Sequence, residues 1–143
     1  YIIDELKKIN IANISMEGPQ TFKAGNVYHL QTKFKFTPEN NTIEELIKTL
    51  HPTPAVCGTP KKLAQKKIEL LEVNKREYYS GLVGFIDENS ETNLFVNLRC
   101  LQFIEKGCIL YAGGGITIDS DPEKEWEETC YKAQTLLSVL EKI

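Results

Sequence analysis

Stretches that mark membrane, nucleic-acid or nucleotide-binding proteins are missing from this chain. No apolar run reaches the roughly 18–20 residues that span a bilayer, and no signal-peptide pattern opens the sequence. Cationic excess is missing too: 17 lysines and arginines stand against 20 aspartates and glutamates, for a net charge of −3. With no long basic run, the chain has no field with which to recruit nucleic acid. Its densest basic cluster, Lys61-Lys62 with Lys66-Lys67, falls on a predicted helix and is expected to face solvent. Phosphate-loop, dinucleotide, H-E-x-x-H and G-x-S-x-G patterns are all absent, which removes the usual nucleotide, zinc-protease and hydrolase signatures. Cys57, Cys100, Cys108 and Cys130 show no C-x-x-C spacing. Scattered, mostly buried thiols in a reducing, cytoplasmic compartment are therefore expected. The only methionine is Met16 and the chain opens on Tyr1, so the sequence is expected to be a piece of a longer polypeptide.

The remaining composition is that of one globular domain: 143 residues, 41% hydrophobic and 26% charged, enough apolar side chain for a core. Helical spacing of Ile2, Ile3, Leu6 and Ile9 predicts a helix ending near Asn10. Ile11 to Glu17 alternates weakly as a strand, Gly18-Pro19 marks a turn, and Val27 to Phe36 alternates strongly. Thr42 caps a helix that runs to about Leu50, and a second covers roughly Lys62 to Val73. Between them His51 to Pro60, with three prolines and a glycine, reads as an irregular loop. Three strands follow, Ser80–Asp87, Thr92–Cys100 and Gln102–Tyr111, with hairpin turns at Asp87 to Glu91 and around Glu105-Lys106-Gly107. A last helix runs from Pro122 to about Glu141. Strands grouped together with helices before and after them predict an α+β fold, an antiparallel sheet flanked by helices.

The chemistry concentrates in the last third. A strand ending at Leu110-Tyr111 runs into Ala112-Gly113-Gly114-Gly115, where bare backbone can approach a ligand closely. Asp121-Pro122 then opens a helix whose first turns carry Glu123, Glu125, Glu127 and Glu128. Acids there complement the helix dipole, so position must separate decoration from function. At about 100° per residue, Glu125, Glu128 and Lys132 fall within roughly 60° of one another. Trp126, Cys130, Ala133, Leu137 and Leu140 form the adjoining apolar stripe. Two carboxylates and an ammonium at the edge of a buried face suit a divalent cation beside an anionic ligand. Two carboxylates supply only part of the six oxygen ligands that magnesium takes, so water, substrate or a further acid must complete the set.

Elsewhere, His51-Pro52-Thr53-Pro54-Ala55-Val56-Cys57-Gly58-Thr59-Pro60 is a run stiffened by fixed proline φ angles, as suits a pocket wall or a plain connection. Arg99 closes the alternating stretch from Leu94 and can pair with a surface acid or fork onto a substrate carboxylate. Tyr78 and Tyr79 read as core aromatics at the start of a strand, in at least one case, and His29 as a core histidine in a half-buried strand. Cys57 has no partner geometry that marks a nucleophile.

Taken in order, several of these pieces resemble the chorismate-utilising enzymes. The matching stretches are Val27-Tyr28-His29-Leu30, the run from His51 to Pro60, Arg76-Glu77-Tyr78-Tyr79-Ser80-Gly81, Leu98-Arg99, Ala112-Gly113-Gly114-Gly115-Ile116, and Ser120 to Thr129 with Lys132. The likeness covers almost all of residues 1–143, most firmly about 27 to 140, and resembles the C-terminal portion of that family's α+β catalytic domain. It implies that Glu128 binds Mg²⁺ directly and Glu125 through water. It further implies that Tyr79, Arg99, Gly113 and Lys132 hold substrate carboxylates, with His29 near the substrate ring. Ala55, where lyase-capable and amine-using members commonly carry threonine, and Trp126 resemble the isochorismate synthases. Anthranilate or salicylate synthases are the alternatives, as is a non-catalytic chorismate-binding domain. Gly114 in place of a usual alanine and Cys57 in place of serine or alanine are the departures, and neither removes a charge.

The implied chemistry is conversion of chorismate to isochorismate. A base activates water for attack at C2 while an acid assists departure of the C4 hydroxyl. The family's base, acid and remaining magnesium-binding glutamate precede these motifs, so this chain is expected to hold half a site and to be inactive without the N-terminal part of the same polypeptide. Its expected partners are chorismate and isochorismate, with neither nucleic acid nor membrane. Menaquinone and siderophore biosynthesis are both open as destinations of the product.

Overall fold

A computed structural model describes residues 1–24, 27–87 and 91–141. The chain divides into two compact units, Tyr1–Thr53 and Pro54–Ile143.

The first unit contains helix α1 (Ile2–Lys8), strands β1 (Ser15–Ala24) and β2 (Val27–Lys35), and helix α2 (Ile43–Leu50). Leu6 and Ile11 are its buried apolar side chains, and the Ile11 N–H closes the end of α1 by donating to the Leu6 carbonyl at 3.1 Å. Asn41 fastens α2 to that end: its amide donates to the Ile9 carbonyl (3.0 Å) and to Glu45 (2.9 Å). Thr42 is the N-cap the sequence predicts, its hydroxyl accepting from the Glu45 N–H at 3.1 Å. β1 and β2 form an antiparallel ribbon that pairs Ser15 with Lys35 and Phe22 with His29. Gly18-Pro19 proves to be an irregularity inside β1 and not a turn, because the register shifts between Glu17 and Gln20 while pairing with β2 continues on both sides. Only glycine suits that point: Gly18 has φ +108°, and a Cβ would stand 2.6 Å from the Gln31 carbonyl oxygen.

The second unit holds helices α3 (Pro54–Cys57), α4 (Lys61–Leu71) and α5 (Pro122–Leu140). Its strands are β3 (Leu82–Phe85), β4 (Asn93–Val96), β5 (Cys100–Ile104) and β6 (Gly107–Tyr111). The proline-rich run thus contains one helical turn, closed by the Gly58 N–H on the Pro54 carbonyl at 2.7 Å. β3 pairs antiparallel with β4, and the Ser80–Asn97 and Asn97–Gly81 backbone bonds, both 2.8 Å, prolong that ribbon. Of the predicted turn between these strands, residues 88–90 lie outside the described residues. β5 pairs with β6 around Glu105-Lys106, from Ile104 opposite Gly107 to Cys100 opposite Tyr111.

The architecture is α+β with antiparallel pairing throughout, but among the described residues the strands form three separate two-stranded ribbons and not one sheet. A two-stranded ribbon covers little surface. Accordingly Leu6, Ile11 and Cys57 are the buried hydrophobics among the described residues, and Phe85 and Trp126 stay 81% and 68% exposed. The predicted apolar stripe of α5 is half-covered at Ala133 and Leu140 and open at Trp126 and Cys130. The cysteines follow the same rule. Cys57 is buried and Cys100 half-buried, while Cys108 on β6 and Cys130 on α5 are exposed, correcting the expectation of mostly buried thiols.

Candidate functional site

The site grows from the N-terminus of α5. Asp121 is its N-cap, accepting from the Lys124 N–H at 3.0 Å, and Pro122 follows at the first helical position. This fixes the start of the helix and hence which way Glu125, Glu128 and Lys132 face. The Lys132 ammonium sits 2.5 Å from Glu128 Oε1 and donates to the Gly113 carbonyl at 3.2 Å. One cation therefore joins the helix to the glycine turn. Glu125 is held separately: the Ser120 hydroxyl donates to its Oε1 at 2.5 Å and accepts from the Thr117 N–H at 2.9 Å. The loop before α5 thus orients one carboxylate while Lys132 orients the other.

The glycines let these groups converge. A methyl on Gly114 would stand 3.2 Å from Glu125 Oε2 and 3.6 Å from Lys132 Nζ. A methyl on Gly113 would stand 3.1 Å from the Tyr79 hydroxyl. Tyr79 stacks on Tyr111 with ring centroids 5.9 Å apart and planes 21° apart, and Tyr111 donates to Gln102 Oε1 at 2.8 Å. Burial pushes the Tyr79 phenol above its ordinary pKa, so at neutral pH it is a hydrogen-bond donor.

Tyr79, Gly113, Glu125, Glu128 and Lys132 are brought together as the sequence predicts. Arg99 is placed differently from the expected strand end. β4 stops at Val96, and Arg99 occupies a left-handed bend (φ 50°) just before Cys100. Because Cys100 pairs with Tyr111, that bend lies at the ribbon end from which Ala112 and Gly113 depart. A non-glycine residue at positive φ is uncommon and costly unless its surroundings hold it there. Ala55 is on α3, exposed. His29 belongs to the first unit, opposite Phe22 on β2, and its side chain is exposed, not a core histidine. Of the two tyrosines, Tyr78 is exposed and Tyr79 half-buried.

A family model described as "Chorismate binding enzyme" matches residues 1–141. The chain belongs to this family. Among curated members, the isochorismate synthase DhbC of Bacillus subtilis is 37% identical over 126 residues, 87% of this chain and 32% of that protein. The isochorismate synthase EntC of Escherichia coli K12 is 37% identical over 123 residues, 85% of this chain and 31% of its own length. Anthranilate synthase component 1 of Aquifex aeolicus is 37% identical over 97 residues, 68% of this chain and 20% of that protein. The solved structure of DhbC from Bacillus anthracis superposes with a TM-score of 0.86 at 34% identity, over 97% of this chain and 38% of that one. The chain spans about a third of the length of the isochorismate synthases it matches.

Two residues that lie within the quoted motifs, Ser120 and Arg76, were given no role of their own from the sequence. Ser120, the partner of Glu125, carries no periodic signal, although a serine just ahead of an Asp-Pro helix start is a recurrent loop anchor. Arg76 makes a two-point ion pair with Glu72 four residues earlier, a spacing visible in the sequence but lying across the end of α4. Glu72 and Arg76 line a cavity of about 660 Å³ that is also bounded by Lys75, Tyr79, Gln102 and Tyr111.

Proposed function

We propose that the polypeptide carrying this chain is a Mg²⁺-dependent isochorismate synthase, and that residues 1–143 supply the carboxylate-binding half of its site. The observation that carries the reading is the convergence of Lys132, the Gly113 turn and the Tyr79 phenol on one point beside two helix-borne carboxylates. The isochorismate synthases among its relatives, matched over 85–87% of the chain, favour that activity.

Each group has a job fitted to its chemistry. Chorismate is a dianion, and Lys132 and Arg99 would offer its carboxylates an ammonium and a planar fork respectively. Tyr79, a phenol protonated at neutral pH, would donate a neutral hydrogen bond, and the bare backbone of the glycine turn would allow a close approach. Ala55, exposed on α3, stands where a hydroxyl-bearing threonine is common in lyase-capable members.

Glu125 and Glu128 present hard oxygen donors one turn apart on α5, the chemistry Mg²⁺ prefers. Among the described residues no group of three or more acidic, histidine or cysteine side chains is gathered for a metal, so these two would hold the ion together with substrate and further ligands. Bound there, the ion would neutralise substrate carboxylate charge. Water attack at C2 and departure of the C4 hydroxyl need a base and an acid. We assign these to the two thirds of the relatives' length that this chain does not span. Four cysteines without a disulfide fit a reducing, cytoplasmic setting, and no described helix is long and apolar enough to cross a membrane.

The likeness to an anthranilate synthase component favours a second reading, amination followed by loss of pyruvate. Chromatographic analysis after incubating the full-length gene product, and this chain beside it, with chorismate and Mg²⁺ decides between them. Isochorismate from the former and nothing from the latter is expected. Anthranilate with an ammonium source, or salicylate, would replace the assignment. Chorismate binding without turnover would reduce it to a non-catalytic binding domain.

A further inference from the structure

Arg76 lies outside the cluster just described, yet its bonds reach α3, the end of α4 and the turn that carries Tyr79. Its Nε and Nη2 grip the two oxygens of Glu72, at the end of α4, at 2.7 and 2.5 Å. Nη1 donates to the Ser80 hydroxyl at 3.2 Å and to the Val56 carbonyl, on α3, at 3.4 Å. The guanidinium carbon stands 5.9 Å from the centre of the Tyr79 ring. Its own carbonyl accepts from the Tyr79 N–H at 2.7 Å.

Tyr79 needs such a brace. Its turn contains two non-glycine residues at positive φ, Glu77 (48°) and Ser80 (62°), a conformation that persists only when neighbours enforce it. Tyr79 also lines the 660 Å³ cavity, so it is not enclosed on every side. Tyr111 supports it by stacking, and Asn97 ties the turn by donating to the Tyr78 carbonyl at 3.0 Å. Arg76 is the group that connects this turn to both α3 and α4. Arginine is suited to this because its rigid fork satisfies several acceptors in one plane, which a lysine ammonium does not.

We propose that Arg76 is a positioning residue that fixes the Tyr79 hydroxyl against the Gly113 turn by clamping the Tyr79 turn to Glu72, Ser80 and the Val56 carbonyl. The proposal deepens the functional reading and rests on Tyr79 as a substrate-contacting group. Arg76 also favours the ionised phenol, lowering its pKa, whereas burial, Cys100 and Glu72 raise it.

The test uses the full-length gene product and the variants Arg76→Gln, Arg76→Lys, Tyr79→Phe and the double variant Arg76→Gln/Tyr79→Phe. Steady-state turnover of chorismate gives KM and kcat. Tyrosinate absorbance, taken as the difference from Tyr79→Phe, gives the titration of this one phenol. Arg76→Gln is expected to raise KM roughly tenfold with kcat within about threefold, the pattern of lost uniform binding. In the Tyr79→Phe background the same change should add less than about twofold, because the hydroxyl it positions is gone. Arg76→Lys should not rescue KM, although it preserves the charge opposite Glu72 and so keeps a merely structural ion pair. The Tyr79 titration should move upward in Arg76→Gln. Wild-type KM in Arg76→Lys, or independent multiplication of the two single effects, overturns the proposal. If Arg76→Gln does not fold, Arg76→Lys carries the test. If the wild-type protein turns over no chorismate, the functional reading fails. A crystal structure of Arg76→Gln then decides the brace by itself: a Tyr79 hydroxyl displaced from the Gly113 turn supports it and an unmoved one overturns it.

Discussion

Replacing Lys132 by methionine removes a charge while preserving most of the side-chain volume, and its effects on stability, substrate binding and metal binding separate cleanly. The first is structural. Lys132 pairs with Glu128 across one helical turn and donates to the Gly113 carbonyl, with its own side chain largely covered and that of Glu128 half exposed. An exposed pair of this spacing contributes about 0.3–0.5 kcal/mol, and the carbonyl bond about 1 kcal/mol. Stability should therefore fall by only about 1–1.5 kcal/mol, a shift of a few degrees in thermal midpoint. The second effect is on the binding of chorismate, the proposed substrate. A hydrogen bond from a charged donor to a carboxylate is worth roughly 1.5–3 kcal/mol, which at 1.4 kcal/mol per decade is about 10- to 150-fold in Kd. With the ammonium gone, the Glu128 charge is less compensated, which disfavours a substrate carboxylate and pushes the same way. The third is on Mg²⁺ binding without substrate. Losing a neighbouring cation should tighten its binding several-fold, because Glu128 no longer shares its charge with an ammonium 2.5 Å away. Calorimetric titration of the full-length gene product with chorismate and with Mg²⁺ reads both signs in one preparation. Chorismate affinity unchanged within twofold in a folded Lys132→Met protein refutes the carboxylate-binding role. Weaker Mg²⁺ binding refutes the placement of the ion beside Glu128.

Other expectations follow from single contacts. A methyl at Gly114 meets only the mobile ends of Glu125 and Lys132, so Gly114→Ala should leave stability within about 0.5 kcal/mol or raise it slightly through chain entropy. Gly113→Ala instead presses on a tyrosine pinned by its stack, and should raise KM for chorismate where Gly114→Ala does not. Asp121→Ala removes the cap of α5 and should cost about 1 kcal/mol in urea denaturation; an unchanged midpoint would mean the helix start is held by other contacts. The Arg76 bond holds the Glu72 carboxyl below the usual glutamate range. Its folded pKa is thus depressed, so the stabilisation is complete above the unfolded value of about 4.3 and is lost as pH falls through the folded one. For a partly exposed pair this amounts to less than about 1 kcal/mol. Glu72→Gln should abolish that acid-side loss in urea midpoints measured from pH 7 to pH 3.

What the sequence disclosed about the site was whatever helix geometry determines locally. Glu125, Glu128 and Lys132 share a face because three and seven residues return to nearly the same angle, and Asp121-Pro122 sets the phase by starting the helix. The same rule located the Thr42 cap and α2. Strand behaviour was less legible, since pairing is decided by a partner distant in sequence. Gly18-Pro19 has the chemistry of a turn, yet pairing with β2 on both sides of it keeps β1 running and reduces the signal to a shift of register. Arg99 shows the same limit in another form: its alternation with Leu94 and Val96 reads as strand, and nothing in residue type announces the left-handed bend that places it beside the glycine turn. Amphipathic spacing, finally, says which face of α5 is apolar and not what covers it, so Trp126 is on the predicted stripe and still 68% exposed. The motif residues left without a role by the sequence, Ser120 and Arg76, are the ones whose partners sit across an element boundary, where neither helical nor strand periodicity applies. It follows that in this chain the groups proposed to touch ligand are readable from periodicity and motif, while those proposed to aim them become visible only once the elements are set against one another.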